Sequence, residues 1–199
     1  MFDGHRIITP EVFARRMVEL LPAYQPGMDT GSADPTDRRA CWNKSLASVL
    51  TVMGREVSTS IVVETDTGNA PGKQLTMHWK QGDGIVFAVA TGWGDRSDVE
   101  GRFVQLEALK APQKLFVYTC SKWQEAVLEQ ISAALLRYPH HLGGEQYLIA
   151  NLLGAEQKVH VYLAEFRQDG PQGRYRPDTL RPITGSPFSW RNRKLTAAS

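Results

Sequence analysis

The spacing of apolar residues predicts two helices before the first strand. Up to residue 54 the apolar positions recur at helical spacing, in two segments that a polar Gly/Pro/Asp loop over 25–36 separates. Thr9 followed by Pro10 predicts the first helix start, because a hydroxyl caps the helix and proline suits its first position. Asp37 predicts the start of the second helix, and Gly54 its end.

From residue 57 onward the pattern changes to short β-branched or alternating runs that are interrupted by helical segments. Strands are predicted at Val57–Thr65, Gln74–Lys80, Ile85–Ala90, Lys114–Thr119, Glu145–Leu153 and Lys158–Phe166, and helices at Asp98–Leu109 and Lys122–Tyr138. Ile85–Ala90 is almost continuously apolar, which is typical of a strand covered on both faces. This order predicts an α/β fold with a mixed central sheet flanked by helices.

Composition indicates one globular domain with a basic tail. The chain has 199 residues, of which 42% are hydrophobic and 22% charged, and its net charge of +2 creates no strong field toward a polyanion. From Arg167 onward, however, the chain has seven basic residues and only two acidic ones. We therefore divide the chain into an N-terminal helix and loop (1–36), an α/β core (37–166) and a basic Gly/Pro/Arg-rich tail (167–199).

Cysteine usage and hydropathy favour a cytoplasmic protein. Cys41 and Cys120 belong to no metal-binding or disulfide pattern, so we expect two reduced, buried thiols. The chain has no apolar run near the ~20 residues that a membrane span needs. Its first residues also lack the apolar stretch of a signal peptide, and we expect no membrane partner.

The centre of the chain carries the most informative motif. Ala88–Gly94 reads AVATGWG, and Lys110–Leu115 reads KAPQKL. Two antiparallel strands, a central strand, a helix and a fourth strand resemble the PD-(D/E)xK, or restriction-endonuclease-like, nuclease superfamily. The motif is similar to small bacterial members whose central strand reads approximately A-V-E-x-E-W-G and whose following helix ends in K-A-P-x-K. The resemblance covers about Asp37 to Phe166 and implies a restriction-endonuclease-like core.

The same resemblance implies that catalytic groups are missing. Members of this superfamily use two or three carboxylates to bind divalent metal ions that activate water, and a lysine that helps to orient it. The corresponding positions fall on Ala90, Gly92, Gln105 and one of Thr76, Met77 or His78. Alanine and glycine supply no oxygen ligand for Mg²⁺. Ile85 to Gly94 contains no Asp or Glu, so a shift in the alignment would not restore the acids.

These observations favour a catalytically degenerate nuclease-like domain that acts as a binding or interaction module in a bacterial or phage DNA-related system. It would need no cofactor, and its partner would be nucleic acid or a protein. A purely structural or oligomeric protein is an alternative.

Another alternative is an active nuclease with relocated carboxylates that uses Mg²⁺ or Mn²⁺. Its candidate residues are Glu64, His78, Asp83, Asp95 and Asp98. It requires the acids to converge within about 5 Å of one point. Simpler roles also exist, because Asp83 suits a turn, and Asp95 or Asp98 suits a helix start. Glu64 and His78 would then be solvent-facing strand residues.

The tail and one histidine pair are weaker candidates. The tail interleaves basic and aromatic residues that would suit single-stranded nucleic acid: Arg174, Arg176, Arg181, Trp190, Arg191 and Arg193. Its simpler interpretation is a segment folded over the domain, with Phe188 and Trp190 buried. His140 and His141 lie between a predicted helix and strand without a nearby acidic or cysteine partner in our interpretation, and we expect them at the loop surface.

Overall fold

The computed structural model describes residues 8–24, 35–66, 76–138, 140–141, 143–168, 175–177 and 179–189. In these ranges it has four α-helices: α1 (Pro10–Leu20), α2 (Pro35–Val57), α3 (Arg96–Glu107) and α4 (Gln124–Arg137). The strands are β1 (Val62–Asp66), β2 (Thr76–Gln81), β3 (Gly84–Gly92), β4 (Gln113–Tyr118), β5 (Gln146–Leu153), β6 (Lys158–Gln168), β7 (Tyr175–Pro177), β8 (Arg181–Pro182) and β9 (Phe188–Ser189). No helix in these ranges has the length and apolar character that crossing a bilayer requires.

The strands form one mixed sheet, which confirms the α/β fold class. Its order is β1-β2-β3-β4-β5-β6-β7, and β8 and β9 also pair with β6. The strands β3, β4 and β5 run parallel, whereas β1, β2 and β6 to β9 pair antiparallel to their neighbours. The helices α3 and α4 connect the parallel strands, as parallel pairing requires.

Helices cover the central strands on both faces. One apolar cluster joins α1 and α2 to one face through residues such as Phe13, Leu46 and Leu115. A second cluster joins α3 and α4 to the opposite face through residues such as Phe103 and Ile131. Every residue of β4 and β5 is buried, which explains why these strands read as nearly continuous apolar runs.

The start of α1 agrees with its sequence prediction. The Thr9 side chain accepts a hydrogen bond from the Val12 N–H, and Pro10 occupies the first helical position. The buried face of the helix places Phe13 and Met17 in the first cluster. The helix of the predicted N-terminal segment therefore shares a core with the sheet.

The predicted boundaries of α2 were wrong at both ends. The helix begins at Pro35 instead of Asp37 and passes through Gly54 to end at Val57. A Cβ atom on Gly54 would lie 3.1 Å from both the Trp79 ring and Val63. Gly54 thus lets the helix approach the sheet closely.

Because α2 continues to Val57, the strand predicted at Val57–Thr65 is shorter and begins at Val62. A turn at 58–61 separates the two elements, and the Ile61 N–H donates to the Ser58 carbonyl there. Asp83 lies in the turn between β2 and β3, which agrees with its simpler predicted role. Gly82 in the same turn has a positive φ of 59°, which glycine adopts without strain.

The described part of the tail belongs to the sheet. Ile183 and Phe188 are buried in the first cluster, as the simpler interpretation expected for Phe188. Trp190 lies outside the described residues. Cys120 is buried as predicted, but Cys41 is exposed, because it faces away from the sheet on α2.

Two helical glycines form a matched pair for testing the packing at Gly54. We expect Gly54→Ala to lower the free energy of unfolding by about 1 kcal/mol, because the buried Trp79 is stacked on Phe87 and has little room to move. Gly101→Ala in α3, where the new Cβ meets nothing within 4 Å, should raise it by about 0.5–1 kcal/mol. Urea denaturation of both variants measures the difference, and equal effects would contradict the close packing of α2.

Candidate functional site

The two central-strand positions at which the resemblance implies acids, Ala90 and Gly92, are part of the packed core. Ala90 lies opposite Phe116, and Gly92 lies opposite Tyr118 on β4. A Cβ atom on Gly92 would lie 2.9 Å from Cζ of Phe116 and 3.2 Å from Cα of Val99 in α3. Ala90 is only 6% exposed. A carboxylate at position 92 would therefore collide with the core.

The preceding strand brings two of the candidate residues together. His78 lies opposite Ala88 on one side and opposite Glu64 on the other. Glu64 is exposed and forms an ion pair with Lys80 at 2.7 Å. His78 is half-buried, its Nε2 atom is buried without a described partner, and burial lowers the pKa of its imidazole. This pair supplies one carboxylate and one neutral histidine.

The other acidic candidates do not join this pair into one site. Asp83 lies in the turn before β3, whereas Asp95 and Asp98 follow the end of that strand. Nine residues of strand span roughly 26 Å, so Asp83 and Asp95 cannot bind the same metal ion. In the described ranges, no group of three or more His, Cys, Asp or Glu residues could hold a metal ion.

Asp95 and Asp98 stabilise the start of α3. The Asp95 carboxylate accepts hydrogen bonds from the Asp98 N–H at 3.0 Å and from the Ser97 hydroxyl at 2.9 Å. These bonds, that of the Asp98 N–H first, lower the pKa of Asp95. Asp98 in turn accepts from the Gly94 N–H at 2.8 Å. Both residues therefore have the capping role that was the simpler alternative.

The remaining candidates are dispersed. Gln105 lies on the exposed side of α3, where its side-chain amide oxygen accepts a hydrogen bond from the Arg102 guanidinium. Arg181 on β8 is half-exposed, and its guanidinium lies 3.8 Å from Glu165. Arg176 lies in β7, opposite Arg167 on β6. Arg174, Trp190, Arg191 and Arg193 fall outside the described residues.

Buried amides fix the carboxyl ends of the parallel strands. The Asn43 side chain on α2 accepts from the Trp93 indole N–H at 2.6 Å and from the Thr91 hydroxyl at 3.3 Å. Asn151 on β5 accepts from the Cys120 N–H at 2.9 Å and donates to the Cys120 carbonyl at 2.7 Å. These bonds hold the loops after β3 and β4 in place, because they replace the sheet pairing that ends there.

Exposed cationic and aromatic residues adjoin these strand ends along the chain. We define the carboxyl edge as Lys44, Arg96, Lys122 and Trp123. Its three cations are exposed and form no ion pair with a described residue, and Trp123 is 40% exposed. The helices α3 and α4 also begin here, which adds the partial positive charge of two helix N-termini.

A buried polar cluster lies at the opposite, amino end of the same strands. It comprises Glu107 at the end of α3 and four residues of the loops and strands below it, and all five are buried: Glu107, Lys114, His141, Glu145 and Tyr147. The Lys114 ammonium donates to the Tyr147 hydroxyl at 2.8 Å and forms an ion pair with Glu145. Burial lowers the pKa of Lys114, raises that of Tyr147 and raises the pKa of Glu107 to about 7.

The interpretation of His141 as loop surface was wrong. His140 is exposed, but His141 is 8% exposed and has Glu145 as a partner at 3.1 Å. Two features of the sequence could have indicated this cluster. Lys114 and Glu145 each begin a predicted strand that continues as an apolar run, and a charge that enters the core with such a strand needs a partner there.

Comparisons with known proteins leave the family open. No protein-family model matches the chain, and no curated protein matches its sequence. The central domain of yeast acetyl-CoA carboxylase is a structural neighbour with 10% sequence identity and a TM-score of 0.41. The match covers 81% of this chain but 27% of that one, and at this TM-score it supports no inference about fold or function.

Glu107→Gln tests the electrostatic cost of the cluster. A folded-state pKa near 7 means that the folded protein holds the Glu107 proton more tightly than the unfolded chain. The stability that this proton contributes is present below pH 4.5 and is lost as the pH rises through about 7. Between pH 5 and pH 8 the free energy of unfolding of the wild type should fall by on the order of 2 kcal/mol more than that of the Glu107→Gln variant, whose side chain stays neutral.

Urea denaturation at both pH values measures this loss. Glu100→Gln on the same helix is the control, because Glu100 is partly exposed and forms an ion pair with Arg137. The free energy of unfolding of Glu100→Gln should depend on pH in the same way as that of the wild type. Equal pH dependence in the Glu107 variant and the wild type would contradict the prediction.

Proposed function

We propose that this protein is a catalytically degenerate restriction-endonuclease-like domain that acts as a binding module in a bacterial or phage DNA-related system. The observation that carries the proposal is the packing around Gly92. Phe116 and Val99 occupy the volume that a carboxylate side chain would need, and Ala90 beside it is buried. In a metal-dependent nuclease those two positions would hold the acids of the central strand.

Nucleic acid is the ligand that we favour, and the carboxyl edge is the surface that we assign to it. Exposed cations that pair with no carboxylate of the described residues attract phosphate, and an exposed indole offers a face on which a base can stack. Asp95 and Asp98 lie close to this edge. Their carboxylates accept hydrogen bonds from backbone N–H groups and so are directed toward the start of α3.

A cleavage assay tests the degenerate character. The purified protein is incubated with supercoiled plasmid, single-stranded DNA and RNA, in Mg²⁺, in Mn²⁺ and in EDTA. We expect no cleavage of any substrate. Metal-dependent cleavage that Glu64→Gln or Asp95→Asn abolishes would overturn the proposal and support the active nuclease with relocated carboxylates.

A binding assay tests the assigned surface. Fluorescence anisotropy with a labelled single-stranded oligonucleotide should show weaker binding for Lys44→Glu and Lys122→Glu. In each variant the slope of log affinity against log salt concentration should decrease in magnitude by about 1. Trp123→Ala should weaken binding by about 1–3 kcal/mol through lost stacking.

The control for charge is Arg55→Glu. Arg55 is exposed on the same helix as Lys44, about 16 Å further along it and away from the carboxyl edge. Arg55→Glu should leave the affinity for the oligonucleotide unchanged. An equal loss in Arg55→Glu would reject this surface. The absence of salt-sensitive binding in the wild type would reject nucleic acid as the ligand and favour a protein partner or a structural role.

A further inference from the structure

We propose that the groove between α1 and α2 is a docking site for an acidic amphipathic helix of a partner protein. This helix groove has a volume of about 390 Å³. It contains none of the four residues of the carboxyl edge, so the proposal does not rest on the nucleic-acid function. It follows from the shape, the apolar floor and the charges of the groove.

The groove runs between two antiparallel helices. The Arg16 guanidinium of α1 donates to the Glu56 carboxylate of α2 at 2.8 Å, and the Ser45 hydroxyl of α2 donates to the Tyr24 carbonyl beyond the end of α1 at 2.7 Å. The lining side chains on α1 recur at i, i+3, i+4 and i+7, which places them on one side of the helix: Val12, Arg15, Arg16 and Glu19. A third helix packs readily along such a groove, because its side-chain ridges fit between two neighbouring helices.

The floor of the groove is apolar and partly open to solvent. Met53 is only 1% exposed and forms its base, whereas Val12 is 56% exposed. Ile8 and Val57 are half-buried and complete the apolar lining. The volume lies within the range of roughly 300–1,000 Å³ that is typical of binding clefts. Apolar anchors on one face of a partner helix would cover these side chains and remove them from water.

Charges at the rim favour an acidic partner. Arg16 is held by Glu56 across the groove and by Glu19 on its own helix, so the carboxylates of the rim are already engaged. Arg15 is exposed and forms no ion pair with a residue that the structure describes. A carboxylate beside the apolar anchors of a partner helix would pair with this guanidinium, whereas an ammonium group would be repelled.

Two synthetic peptide probes test the docking site. Both are alanine-based helices of about four turns with leucines at i, i+3, i+4 and i+7, and their remaining positions carry glutamate in one probe and lysine in the other. Calorimetric titration of the full chain should detect binding of the glutamate peptide. Its affinity should exceed that of the lysine peptide by at least about fivefold. Equal affinities, or no binding of the glutamate peptide, would overturn the proposal.

Two variants on α1 separate charge from apolar contact. Arg15→Glu should reverse the preference, so that the lysine peptide binds more tightly than the glutamate peptide. Val12→Ser should weaken binding of the glutamate peptide by about fivefold or more, because an apolar contact is lost. Both side chains are exposed, so the variants should fold like the wild type.

Val104→Ser is the matched control. Val104 is 47% exposed on α3, in the helical layer on the opposite face of the sheet. This variant should bind the glutamate peptide like the wild type. An equal loss of affinity in Val104→Ser and Val12→Ser would show general apolar attraction and would reject the groove as the docking site.

Sedimentation velocity distinguishes a partner protein from a second copy of this chain. At the concentrations of the titration we expect the wild type and Val12→Ser to be monomers. A wild-type dimer that Val12→Ser dissociates would assign the groove to self-association and overturn the proposal.

Discussion

Burial of the three parallel strands on both faces is the constraint that governs this structure. Because β4 and β5 expose no residue, two helical layers must cover them, and α1 with α2 supplies one while α3 with α4 supplies the other. A polar side chain that enters this sheet has no water to contact and needs a partner from the protein. Most buried polar side chains of the described core therefore occur in bonded groups at the two ends of the strands, although the Tyr118 hydroxyl and one Glu107 oxygen have no hydrogen-bond partner.

These two ends differ in what they can do chemically. At the amino end, Lys114 and Glu145 are sealed beneath α3, and next to them Gln113 donates to Gln146 across the strands. At the carboxyl end, Asn43 and Asn151 bond to loop groups and leave the loops themselves at the surface. Perturbed ionisable groups thus lie where a ligand cannot reach, whereas accessible charges lie where the loops are. We place binding at the accessible end for that reason.

Local sequence rules predicted the features that depend on neighbouring residues. The Thr9 cap, the turn at Asp83 and the apolar strands β3 to β5 each follow from a few adjacent positions. Failures arose where a distant contact decided the outcome. Gly54 appeared to be a helix stop, but α2 continues through it and the ring of Trp79 packs where a side chain would be, a contact that no local rule can anticipate.

The candidate site shows the same limit. The absence of acids from the central strand was visible in the sequence, but the packing of Phe116 against Gly92 was not. The burial of His141 depends on Glu145 and Phe166, and the histidine pair alone resembles an ordinary loop. Pairing across strands brought these residues together, and helical or strand periodicity contains no information about it.

The contact between Phe116 and Gly92 also limits how this chain can evolve. A carboxylate at position 92 would first require a smaller residue at position 116, and that change alone would leave a cavity in the core. If the carboxylate at position 92 came first, it would be forced against the Phe116 ring and the backbone of α3 at Val99. Each single step is therefore harmful, so an acidic centre at this strand end would have to arise through two coordinated substitutions. The packing around Gly92 thus keeps this position free of an acid unless both residues change together.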